Sequence, residues 1–197
     1  MTTPHTSPIP RVAYLRTLID EGRLIRDQWI GEDAQGRETA CLLAALSPEA
    51  ARDGSASACP ASIMPAWLAY LTPWMDDSGS DAAWPAMVRR YADLAARWHV
   101  LAPEAWERCK FRSLAIIVRE AMMHTTHEPA LAACRTVAGL CDRAASGDPP
   151  PEAEWRAAAA AAAAAGWRAA AADRMMSAIL DIIEAEITAA QRQGAAP

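Results

Sequence analysis

Glu120, His124 and His127 are the residues whose types and spacing come closest to a reaction centre. Steps of four and three put all three on one face of a helix, where carboxylate and imidazole could hold a metal ion. No fourth ligand accompanies them, because the sequence has neither a C-x-x-C pair nor a second His pair of this kind. Histidines near a helix C-terminus also suit the local dipole as imidazolium, and Thr125, Thr126 and Pro129 mark a helix about to end. The expectation is no bound metal and no cofactor, with a metal-binding helical bundle as an alternative. Arg108, Arg112 and Arg119 line one face of the same stretch. Such a stripe can grip RNA or an acidic partner, or be a solvated face with Glu104 beside Arg108. Ser47 and Ser113 lack the His or Asp context of a nucleophile, and no glycine-rich phosphate loop occurs.

Tryptophan is the second signal. The sequence holds eight, and Trp67, Trp74, Trp84, Trp98 and Trp106 lie in apolar patterns that read as core. Trp155 and Trp167 differ, each being the one large apolar residue in an Ala/Arg setting, with Arg156 and Arg168 directly after them. Twelve helical steps leave the two indoles about 120° apart, so one narrow groove covers only one of them. The other is expected to be a partner anchor, since aromatic side chains and Arg dominate binding hot spots. The expected contact residues are therefore Trp155, Trp167, Arg156 and Arg168, together with Arg108, Arg112 and Arg119.

Arg119-x4-His124 resembles the Arg-x4–6-His signature of HEPN ribonucleases, which are all-helical and place the pair at a dimer cleft against the RNA backbone. The likeness covers six residues, and the polar residue that often follows the Arg is Glu120 here. It implies an RNA-cleaving alternative in which Arg119 and His124 act. The charge balance argues the other way: the net charge is −5 and the pI near 5.4, against general nucleic-acid affinity.

The elements that must position these residues read as helices. About a quarter of the chain is Ala, Phe occurs once, and β-branched residues never alternate. Basic residues are 18 Arg and one Lys, a GC-rich bias more than a phosphate signal. Pro10 suits a helix start, and Val12, Leu15, Leu18, Ile19, Ile25 and Trp29 follow at helical spacing. A break at 31–36 precedes a short helix over 39–46, and prolines 60, 65 and 73 cut the next stretch into short pieces. The spacing of Trp84, Val88, Tyr91, Leu94, Trp98 and Leu101 predicts one helix over 81–101 with Arg89 outside. Helices from Pro103 to about Thr125, burying Trp106, Phe111, Leu114 and Ile117, and from Pro129 to Gly147 come next. After the Pro149–Pro151 joint, a long Ala-rich helix from about 152 to 193 carries a seam of Met176, Ile179, Ile183 and Ile187.

These patterns predict an all-α fold: a single helical domain of about six to eight helices, with a core over 1–147 and a joint plus C-terminal helix over 148–197. Five cysteines without C-x-x-C suit reduced, buried thiols. No signal-peptide pattern or membrane-length apolar run is found, so a cytoplasmic location is expected.

Residues 38–50 and 59–101, with the Trp-Arg-Ala repeat, resemble uncharacterised Ala/Arg-rich accessory proteins of phages and prophages from GC-rich bacteria. That resemblance imports no catalytic residue. It implies a non-catalytic protein-binding role against a host or defence complex, as anti-CRISPR proteins have. Neither nucleic acid nor membrane is the expected partner, and oligomeric state is left open.

Overall fold

The computed structural model describes residues 11–164 and 172–194, and among them the chain is mostly helical. The helices are α1 (Val12–Asp20), α2 (Leu42–Leu46), α3 (Pro48–Asp53), α4 (Ala66–Ser78), α5 (Trp84–Ala95), α6 (Pro103–Met122), α7 (Glu128–Ala145), α8 (Glu152–Ala164) and α9 (Ala172–Gly194). Short 3₁₀ turns occupy Ala56–Ala58 and Trp98–Val100. The expected all-α class holds, with a long C-terminal helix, α9. Residues 165–171, which the expected helix over 152–193 spans, lie outside the described part. None of the helices in the described part is long and apolar enough to cross a membrane. Two compact units form, one from residues 1–100 with 187–197, the other from 101–186. The sequence boundary at 147/148 falls inside the second.

In the first unit α1, α2, α4 and α5 enclose a core of Leu15, Leu18, Leu42, Leu43, Leu46, Leu68 and Met75, all fully buried. Tyr91 is fully buried too, and its hydroxyl lies 2.7 Å from that of Thr72, which donates to Leu68 O at 2.8 Å. A polar tip buried this deeply is tolerable because it is bonded. Ser47 closes α2 and caps α3, accepting from Ala50 N–H at 3.1 Å, with Pro48 in the first turn.

Three expectations are corrected here. Residues 39–40 belong to an antiparallel hairpin, β1 (Ile30–Glu32) against β2 (Glu38–Ala40), in the register Ile30–Ala40, Gly31–Thr39, Glu32–Glu38. Asp33 shapes its turn by accepting from the N–H groups of Gln35 and Arg37, both at 2.9 Å, and burial of Thr39 and Ala40 supplies the apolar side. Pro73 lies inside α4 without cutting it, because the flanking turns bury Leu68, Ala69, Thr72 and Met75. The helix of Trp84 ends at Ala95, and Trp98 enters the core from the following 3₁₀ turn, edge-on to Tyr91 at 5.5 Å. Arg89 is exposed as expected, whereas Trp84 is only half-buried.

The second unit is built on α6 lying along α7, with Val118, Cys134 and Ala138 at the contact. Here α6 departs from its expected burial. Its buried residues are mostly small, Ala105, Cys109, Ser113, Ala115, Val118 and Ala121. Leu114 is 39% exposed, and Trp106, Phe111 and Ile117 are half-buried. Small side chains let two helix backbones approach closely, so the bulky ones are turned aside. Gly147, in the left-handed region at φ 89°, ends α7, and Asp148 N–H caps Arg143 O at 3.0 Å. Met176, Ile179, Ile183 and Ile187 of α9 are buried, as their spacing predicts.

Candidate functional site

Most of the cations expected to meet a partner are engaged within the second unit. Arg108 and Arg112 both close on Glu186, their nearest N–O contacts 2.7 Å each. Arg119 pairs with Asp142 on α7. Arg156 lies 3.6 Å from Glu152 with its side chain 74% exposed, a pair that water screens. Trp167 and Arg168 lie outside the described residues.

Trp155 is not a freely projecting anchor. Its ring stacks on Phe111 with centroids 5.6 Å apart and planes 22° from parallel, and it is half-buried. Lys110 sits over the other partner of this stack, its Nζ 4.8 Å from the Phe111 centroid. With exposed Leu114 one turn along α6, these side chains make an aromatic and aliphatic face carrying a cation.

The Glu120–His124–His127 set does not gather. Helix α6 ends at Met122, and His127 is already the residue before α7. His124 Nε2 lies 3.3 Å from Glu120 Oε1, and the same carboxylate oxygen receives Arg174. That bond from Arg174, with His124 adding to it, holds the Glu120 carboxyl below the usual carboxylate range. Arg119 and His124 are thus each held by a different carboxylate. Among the described residues no three His, Cys, Asp or Glu side chains come together to hold a metal ion. The five cysteines are free thiols, and burial raises Cys41 and Cys141 to about 11 and Cys109 to about 12, far from thiolate chemistry.

A second cluster, in the first unit, was missed by sequence reasoning. Asp76 is fully buried. Its two carboxylate oxygens accept from Leu42 N–H, at the start of α2, and from Trp84 Nε1, each at 2.8 Å. Burial outweighs these bonds and pushes its pKa up to about 6, with Asp77 adding to the rise and Arg26 opposing it. Arg26 straps the same end of α4, donating to Asp76 O at 2.8 Å, to Gly79 O at 2.5 Å and to Asp81 at 2.8 Å. Asp27, held at φ 62°, donates its N–H to Asp77 at 2.8 Å. Beside this knot, next to the hairpin, opens a cleft of about 620 Å³. Nothing in the sequence marks it, because Trp84, whose indole is half-buried against Asp76, fits an apolar stripe.

No protein-family model matches the chain, and neither a curated protein nor a solved structure is found to match it.

Proposed function

We propose that the chain is a non-catalytic protein-binding module whose contact surface is the α6–α8 face of the second unit. The observation that carries this reading is the reversed placement along α6, which buries Ala105, Cys109 and Ser113 while leaving Leu114 exposed and Phe111 half-exposed. Stacked on Trp155 and flanked by Lys110, that surface has the aromatic-plus-cation character of binding hot spots. The resemblance to phage accessory proteins adds the finer proposal that the partner belongs to a host defence complex, as for anti-CRISPR proteins.

The test begins with capture from host lysate by the full-length chain, followed by titration of the captured protein, remade pure, against variants. Leu114→Glu and Trp155→Ala should each weaken binding about thirtyfold, equivalent to about 2 kcal/mol. Leu114→Glu should leave the melting temperature unchanged, since its site is on the surface. A folded Leu114→Glu protein that binds its partner normally would overturn the reading.

A further inference from the structure

The cleft beside the hairpin lies wholly in the first unit, and its volume of about 620 Å³ is in the range of small-molecule sites. Its lining joins apolar surface from Leu24, Ile25 and Trp84 to the carboxylates of Glu32, Asp33 and Asp81. One cation, Arg26, also lines it, but its guanidinium is already committed to Asp81 and to the carbonyls of Asp76 and Gly79. Arg37 neutralises Asp33 at 2.7 Å. With Asp81 paired to Arg26 and Asp33 to Arg37, Glu32 is the lining carboxylate left without a cation among the described residues, and it makes the cleft electronegative.

An independent feature lies on the hairpin. Thr39 is 4% exposed, lines the cleft, and its hydroxyl takes no hydrogen bond among the described residues. Its cross-strand partner is Gly31. A Cβ at Gly31 would stand 3.1 Å from Thr39 Oγ1, 3.6 Å from Gln28 Oε1 and 3.7 Å from Ile25 Cδ1. Any side chain at 31 would crowd the hydroxyl, so glycine keeps two oxygens and an aliphatic methyl open to the cleft. The Thr39 hydroxyl has no protein partner among the described residues and is not sealed from solvent, so it is an acceptor that a ligand donor entering the cleft can meet. Oxygen acceptors in an electronegative setting select hydrogen-bond donors with positive charge, and the apolar and indole surface selects a carbon body.

We propose that this cleft binds an organic cation, an alkyl guanidinium or alkylammonium group, whose N–H donors meet Thr39 and Gln28 while Glu32 balances its charge. A free small molecule and an arginine side chain offer the same group. Calorimetric titration of the full chain with agmatine should therefore be run beside a short capped peptide containing one arginine. Saturable binding is expected, tighter for agmatine if the natural ligand is a free cation and tighter for the peptide if it is a side chain. Thr39→Val and Glu32→Gln should each weaken binding about fivefold or more, and n-butylurea, of similar shape without charge, should bind at least about tenfold more weakly. Glu32 is exposed, so Glu32→Gln tests the proposal even if Thr39→Val disturbs the hairpin. Absence of saturation by either cation up to about 10 mM, equal binding of the urea, or unchanged affinity in Glu32→Gln would each overturn it.

Discussion

Arg108 and Arg112, one turn apart on α6, converge on Glu186, Arg108 donating to both carboxylate oxygens and Arg112 to Oε1. The Glu186 side chain is 8% exposed while theirs are 40% and 47% exposed. The carboxylate is the buried member, so its loss frees two cations that can turn to water. Glu186→Ala should lower unfolding stability by about 1–2 kcal/mol, a figure reduced for the exposure of the arginines. Arg108→Ala and Arg112→Ala should each cost less, because the remaining arginine still holds the carboxylate. Urea unfolding of the three variants checks the order. Equal losses would mean the two arginines do not share Glu186.

Asp76 gives stability a pH dependence of unusual sign for an aspartate. Its folded pKa of about 6 lies above the ordinary 3.8, so the folded state holds the proton more tightly. The contribution is complete below the unfolded value and is lost as pH rises through about 6. Stability from this group should fall by on the order of 2 kcal/mol between about pH 4 and pH 7.5. Asp76→Asn should flatten that slope while adding a pH-independent cost, since an amide cannot accept from both Leu42 and Trp84. Melting curves across that range decide it: an equal slope in Asp76→Asn would place the effect elsewhere.

Ser113 is buried on α6, and its hydroxyl finds no partner among the described residues. Ser113→Ala should raise stability by about 1 kcal/mol, from removal of an unbonded hydroxyl and a gain in helix propensity. A loss of stability in chemical denaturation would show that the hydroxyl is bonded after all.

The thiols should be inert in the native protein. Cys41, Cys109, Cys134 and Cys141 are buried and Cys59 is half-buried, with every thiol raised by burial. Iodoacetamide near neutral pH should label Cys59 first and slowly, and all five only after unfolding. Rapid modification of Cys109 or Cys41 without unfolding would contradict this.

The sequence made residues 12–18 of α1, the α9 seam and the core half of α5 legible, because in each the large apolar residues recur at helical spacing and are the ones buried. The same spacing carried the first helix on to Ile25 and Trp29, whereas α1 ends at Asp20. Residues 103–122 also read correctly as helix, but the face did not. The rule that bulky side chains point inward fails where Ala, Cys and Ser form the buried side, leaving Leu114 exposed and Phe111 half-buried. The hairpin was hidden because Ile30-Gly-Glu32 is too short to alternate and its glycine resembles a break. Arg26 and Asp76 stand 50 residues apart in the chain, and nothing local marks either for the other. The Arg stripe on α6 was visible as spacing, yet its partners Glu186 and Asp142 come from other helices.

The strap at Arg26 also fixes an order of events. Arg26 and Asp27 are tied to residues 76–81, across separations of 50 to 55 positions. A loop of that length must close before any of these bonds can form, and its closure entropy is not offset until they do. Helix α1 can form from its own neighbours, whereas the Arg26–Asp27 corner must wait until the end of α4 and the start of α5 are in place. The left-handed backbone at Asp27 is therefore expected to be set late in folding, once the segment that holds it is in place.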